Sequence, residues 1–305
     1  LMSKTPPDLA KPAKPTDTFL PISGGRRAKD RLATVIFTVC FMLAVIPLVA
    51  LLYKVLVSGL PAVLDPAWWT NSLFLVSPSS MAGGVGHAIY GSLVQALVAA
   101  VFSIPLGVAA GIMLVEYPES RLARPTTFMV DVLAGVPSVV AAIFIFGVWV
   151  SVLKFQLSAF AVSLALVLLM LPLIVRSTEE MLKLVPDELR EASYALGVPK
   201  WKTIVSIVVP TALSGMISGI FLATARVMGE TAPVLILVGY TASFNFNIFQ
   251  NNMASLPLLI YNQLSNPNEA GQYRIWGAAL TLIIIIGLAN LLATFAAKAL
   301  APKTK

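Results

Sequence analysis

Charge is scarce in this sequence. Lys, Arg, Asp and Glu supply 11% of 305 residues, whereas hydrophobic residues supply 58%; a soluble domain carries about 25% charged residues. That balance excludes a water-soluble globular chain and indicates a single polytopic membrane domain. Cysteine is scarcer still. Cys40 stands alone inside the first apolar run, so no intrachain disulfide can form. One histidine, His87, excludes any site built on two His ligands. Paired carboxylates are missing from the apolar runs, which argues against a membrane-embedded enzyme. No G-x-x-x-x-G-K-[ST] loop occurs, so if the chain pumps, the nucleotide chemistry belongs to another chain. The formal net charge of +7 is scattered between apolar segments and forms no single basic face, which argues against nucleic acid.

Long apolar runs are what the sequence does have. A helix needs about 20 mostly apolar residues to cross the hydrocarbon core. Six runs qualify, at 32–58, 86–115, 127–151, 156–176, 211–239 and 275–298. The fold class is therefore all-α, with six transmembrane helices. Residues 1–31, rich in Pro, Lys, Arg, Asp and Thr, read as a disordered tail. The domain proper spans 32–298, with a second short tail at 299–305. Of 21 Lys and Arg, 17 fall in the N-terminal tail, the 116–126 loop, the stretch from Arg176 to Lys202, and the C-terminal end. Positive loops stay inside, so both termini are expected in the cytoplasm. Trp68 and Trp69 are then expected at the outer interface, where such residues are common.

Small and breaking residues punctuate the runs. Gly107 and Gly111 form a G-x-x-x-G, as do Gly215 and Gly219; that spacing lets helices approach closely. Pro105, Pro137 and Pro233 are expected to kink or break their helices.

One loop, 177–210, departs from the surrounding apolar pattern. It includes "EASYALGVPKWKTIVSIVVP", from Glu191 to Pro210. Pro186 suits the first turn of a helix, and Asp187 and Glu188 complement its dipole. Leu189, Ala192, Ser193 and Leu196 share one face. Gly197 is placed as a C-terminal cap, Pro199 opens a second short helix, and Pro210 marks the turn into the fifth span. The residues alone describe a compact helix–Gly–helix under the membrane, either a plain connector or a docking surface. The spacing from Glu191-Ala192-Ser193 through Gly197 and Ile207 to Val209-Pro210 resembles the E-A-A-x3-G-x9-I-x-L-P signature of binding-protein-dependent ABC importer permeases. Ser193 replaces the second Ala and Val209 the Leu. The resemblance implies that Glu191, Ala192, Ser193 and Gly197 couple the chain to a cytosolic ATPase.

The fifth run carries two ionisable residues, Arg226 and Glu230, in "ATARVMGETAPVLILVG". Charges at that depth are costly and are functional candidates by default. Four apart, they are expected on one helix face. Two roles stay open: a self-neutralising structural pair, or an anion pathway in which the Arg226 fork meets an oxyanion. Together with "GGVGHAIYGSLV", "GVPSVVAAIFIFG" and "LPLIVRSTEEMLKLVPDELREASYALG", this stretch resembles the PstA family of phosphate importer permeases over roughly 80–300. The sister PstC family is similar here, but Ala-Pro after Glu-Thr favours PstA. The resemblance implies the fold of the smaller molybdate- and methionine-type permeases. It also implies Arg176 and Arg226 as charges important for phosphate passage, with Glu230 as the nearby acid. Arg176 also fits a snorkelling anchor.

The implied partners are a PstC-like permease chain, two PstB-like cytosolic ATPases and an extracytoplasmic PstS-like phosphate-binding protein, in the bacterial cytoplasmic membrane. No cofactor or metal is expected. Asp131 reads as a solvated or helix-terminal acid, Glu116 as facing water or an Arg, and His87 as part of a turn into its helix. Ala254 to Tyr261 is expected to dip into the bundle or lie at the interface. Rival functions are a permease for another oxyanion, sulfate or molybdate, and a passive channel.

Overall fold

The first helix, α1 (Gly24–Val63), carries 22 uncharged residues between Arg31 and Lys54. At 1.5 Å per residue they reach about 33 Å, enough for a bilayer core. The structure is a computed structural model and describes residues 24–300. Helix thus begins at Gly24, before the expected boundary at 32; residues 1–23 of the expected tail and 301–305 lie outside the described residues. Residues up to Tyr53 form one unit and those from Lys54 onward another.

The second unit holds the remaining elements. A short α2 (Pro66–Thr70) is capped by Asp65, whose carboxylate accepts from the Ala67 N–H at 2.9 Å. Then follow α3 (Gly86–Glu116), α4 (Ala123–Gly135) and α5 (Ser138–Ile145), the last continuing as a π-helical stretch to Val152. Beyond them come α6 (Ala159–Lys183), α7 (Asp187–Ala195) and α8 (Lys200–Thr203). The chain ends with α9 (Val209–Met228), α10 (Ala232–Leu237), α11 (Leu256–Gln263) and α12 (Glu269–Leu300).

Five helices are long and apolar enough to span a membrane, and a sixth crossing depends on α4 and α5, which meet at 109°. The packing decides that question. Ser163 Oγ donates to Gln95 O at 3.1 Å, Gly107 lies against Ile174 and Gly111 against Thr178. Helices α3 and α6 therefore run parallel, in one register. The chain leaves α3 at one end and enters α6 at the other, so α4 and α5 together carry it across as a broken span. The break falls at Val136-Pro137, where Pro137 cannot donate and disfavours helix in the residue before it.

The other prolines behave differently. Pro105 lies inside an unbroken α3, and Pro233 opens α10. At Pro210 the expected turn is absent. Helix runs on from Lys200 to Met228, with a π-helical turn over Ile204–Val208 just before Pro210. A wider turn accommodates the proline ring and its missing N–H. The fifth span is thus 200–228, not 211–239, and α10 is separate.

The core gathers around α6, where Ala161, Val162, Ala165, Leu166, Met170 and Ile174 are buried. Both G-x-x-x-G pairs face this helix, since Gly215 lies against Met181 and Gly219 against Ser177. A second cluster sits at the α3 start, around Trp68, Val85, Leu256 and Leu259. Trp68 was expected at the interface but is 1% exposed and donates its indole N–H to Thr281 Oγ1 at 2.9 Å. Trp69 is half-buried and bonded to Val63 O. The Ala254–Tyr261 stretch does enter the bundle, mostly as α11, with Leu256, Leu258 and Leu259 buried.

Candidate functional site

A cavity of about 640 Å³ lies between the α4–α5 break, α6 and α9. From α6 it takes Leu169, Pro172, Leu173, Arg176, Ser177 and Glu180, a stripe at helical spacing about 16 Å long. From α9 it takes Gly219, Leu222, Ala223 and Arg226, again one face, followed by Glu230. All three expected pathway residues, Arg176, Arg226 and Glu230, therefore line one space.

Their relation differs from the expected one. Helix α9 ends at Met228 with Gly229 as its cap, so Glu230 stands in the break before α10 and shares no helix with Arg226. Gly229 and Pro233 end one helix and open the next, and the i, i+4 geometry is lost. Among the described residues no ion pair joins Arg226 to Glu230. Arg226 is exposed on the isolated chain, while Glu230 is half-buried.

Arg176, by contrast, is fully engaged. It bonds Glu179 Oε2 at 2.7 Å and also Asp131, and Glu179 in turn holds Lys183 at 2.7 Å. Asp131 lies within α4 and ties that half-helix to α6, so it is neither an end residue nor free. Glu180 went unnoticed in the sequence, although it stands four residues after Arg176 and so on the same face.

The α7–α8 loop closes the other end of α3. Helix α7 starts after Pro186 and α8 after Pro199, as expected, and Gly197 takes φ +76 between them. Only a residue without Cβ enters that region freely; nothing lies within 4 Å of an added Cβ. Ser193 is buried and shares a 2.8 Å hydrogen bond with Thr203. Glu191, Ala192 and Gly197 are exposed, and Ser193 is the internal staple beneath them. Leu189, Tyr194, Leu196 and Trp201 are also exposed, leaving an apolar patch on this end.

Arg190 turns inward. It reaches Glu116 Oε1 at 3.0 Å, Val185 O at 2.7 Å, Leu182 O at 3.1 Å and Asp187 at 3.0 Å. Lys200 bonds Glu116 O and sits 4.4 Å over the Tyr117 ring. The loop is thereby clamped to the end of α3. At the opposite end, His87 is buried between Tyr240 and Phe244.

The arrangement, a bundle around α6 with a broken third crossing and an exposed helical loop, is that of importer permeases. It matches the methionine transporter MetNI in an inward-facing form (TM-score 0.59, 16% identity, 70% of this chain and 95% of that one). A bacterial alginate importer matches over more of the chain (TM-score 0.63, 13% identity, 90% and 99%). Residues 103–305 match the family described as binding-protein-dependent transport system inner membrane component, and the chain belongs to that class. Within it, the chain is 62% identical over 283 residues to the phosphate transport system permease protein PstA of Mycobacterium leprae (strain TN), covering 93% of each. It is a member of the PstA family.

Proposed function

We propose that this chain is the permease subunit of an ATP-driven phosphate importer in the bacterial cytoplasmic membrane. A homologous PstC-like chain forms the other half of the pathway, two PstB-like ATPases sit below, and a PstS-like binding protein delivers phosphate outside. The observation that carries the reading is Arg226. It lines the cavity without an acid partner among the described residues, while Arg176 beside it is already neutralised. An unpaired guanidinium offers a planar fork to an oxyanion, and a facing permease chain supplies further charge and excludes lipid.

Coupling follows from the loop. ATP binding draws the ATPases together and moves α7 through its exposed Glu191 and Ala192. The Arg190–Glu116 clamp passes that motion to α3, and the Gly107 and Gly111 contacts pass it to α6 and the cavity. The pathway opens outward for release from the binding protein, and hydrolysis resets it. The orientation, with loop and termini in the cytoplasm, rests on the positive-inside charge pattern.

Labelled phosphate uptake in cells lacking this chain tests the reading. Wild type restores uptake that excess sulfate does not suppress. Arg226→Gln, at normal membrane levels, lowers it by about tenfold to a hundredfold, the worth of one charge-assisted interaction. Suppression by sulfate or molybdate instead assigns the permease to that oxyanion.

A further inference from the structure

A second cavity, of about 370 Å³, opens at the end of α3 opposite the α7–α8 loop. Arg274, on the second turn of α12, lines it and is 3% exposed. Its terminal nitrogens reach Gln263 Oε1 at 3.5 Å, Ser77 O at 3.2 Å and Ser80 O at 2.6 Å, all neutral acceptors. Its buried Nε has no partner, and no carboxylate pairs with it among the described residues. Tyr240 lines the same cavity, and its buried hydroxyl is also unpartnered. Burial pushes that phenol up to about 12, so it remains a neutral donor in the physiological range.

Burying a charge without a counter-charge is costly. Three carbonyl-type acceptors offset part of that cost and fix the guanidinium in place. The unspent Nε–H and Tyr240 O–H, both shut off from solvent in this state, become donors to a ligand when small side-chain rotations turn them into the cavity. Asn262, Asn266 and Asn268 on the wall add amide donors. The cavity also abuts the start of α12, the positive end of a 32-residue helix. Glu269, the acid nearest in sequence, does not line it.

We propose that this cavity is a second anion site, taking a small free oxyanion such as inorganic phosphate between Arg274 and Tyr240. One water occupies about 30 Å³, so the ion enters with part of its hydration shell and reaches the amides through water. Such a site binds weakly and releases quickly, as an entry station must. It shares no lining residue with the cavity at Arg226 and does not depend on that cavity's role.

Equilibrium dialysis of labelled phosphate tests this on the full chain in phosphate-free maltoside micelles at low chloride. An Arg176→Gln/Arg226→Gln background silences the first cavity. About one phosphate per chain is expected to remain bound. Arg274→Gln weakens it by about tenfold or more, and Tyr240→Phe severalfold with an unchanged melting temperature. No bound phosphate in the background chain, or undiminished binding in both variants, overturns the proposal. So does displacement by chloride as effective as by sulfate, or by phosphatidylglycerol added to the micelles.

Discussion

Arg190 and Glu116 are 74 positions apart and 3.0 Å from each other, with side chains 13% and 4% exposed. Removing one partner of so buried a pair strands the other charge, which costs about 3–5 kcal/mol. Arg190→Ala is therefore expected to lower the melting temperature of the full chain in micelles sharply. Adding Glu116→Gln recovers much of the loss, because a neutral amide is cheaper to leave unpaired. Sequence reading left Glu116 open between water and an arginine, since nothing local names a partner in another loop. For the same reason the sequence did not name Arg176, 45 positions on, as the partner of Asp131, although an exposed, solvated acid was expected there and its side chain is 59% exposed. Trp68 shows the converse. Its amphipathic ring suits an interface, but a Thr281 hydroxyl 213 residues away gives its N–H a buried partner. Arg226, by contrast, was conspicuous as a charge inside an apolar run without any knowledge of the fold, whereas Arg176, at the end of its run, came from the family resemblance; both line the first cavity.

Two glycines separate packing from conformation. A Cβ on Gly111 would lie 2.7 Å from both Cβ and Cγ2 of Thr178, a branched side chain with nowhere to turn. Gly111→Leu is expected to destabilise the α3–α6 contact by about 1–3 kcal/mol, measured as a loss of thermal stability. Gly197 meets nothing, yet holds φ +76. Gly197→Val there costs about 1–2 kcal/mol of backbone strain and displaces the α7–α8 angle. In the reconstituted transporter ATP hydrolysis then continues while transport falls, and Gly197→Asn, which tolerates that region, retains coupling. Helix spans were readable from hydropathy to within several residues, except the fifth, which lies 11 residues earlier than expected. What proline does was readable only in part: Pro137 and Pro233 stand at helix breaks as expected, whereas Pro105 leaves α3 whole and Pro210 follows a widened turn. The difference lies in what packs around each, and Glu230 left its expected helix face on that account.

Taken as a whole, the molecule rests on a direction argument. The α3–α6 register obliges α4 and α5 to cross, despite a 109° bend that would equally suit a re-entrant pair. Entry into α6 is pinned at the α3-start end, where Ser158 N–H donates to Leu237 O at 2.9 Å and Phe160 N–H to Ile248 O at 2.8 Å. Lys154, exposed just before this point, must then lie on the opposite side of the membrane from Tyr194 in α7. Cys40 is the sole cysteine, so its replacement by serine gives a clean background for single cysteines. A membrane-impermeant maleimide added to intact cells is expected to label Lys154→Cys and Asn268→Cys. Tyr194→Cys is expected to react only after permeabilisation. Labelling of Tyr194→Cys but of neither other variant in intact cells would reverse the cytoplasmic placement of the loop. Glu119→Cys, exposed in the loop after α3, and Lys154→Cys flank the α4–α5 pair, and equal labelling of these two in intact cells would make α4–α5 re-entrant and put five crossings in place of six. Because the cavity is walled by the α4–α5 break, that outcome would also leave it open to one side only, with no route across.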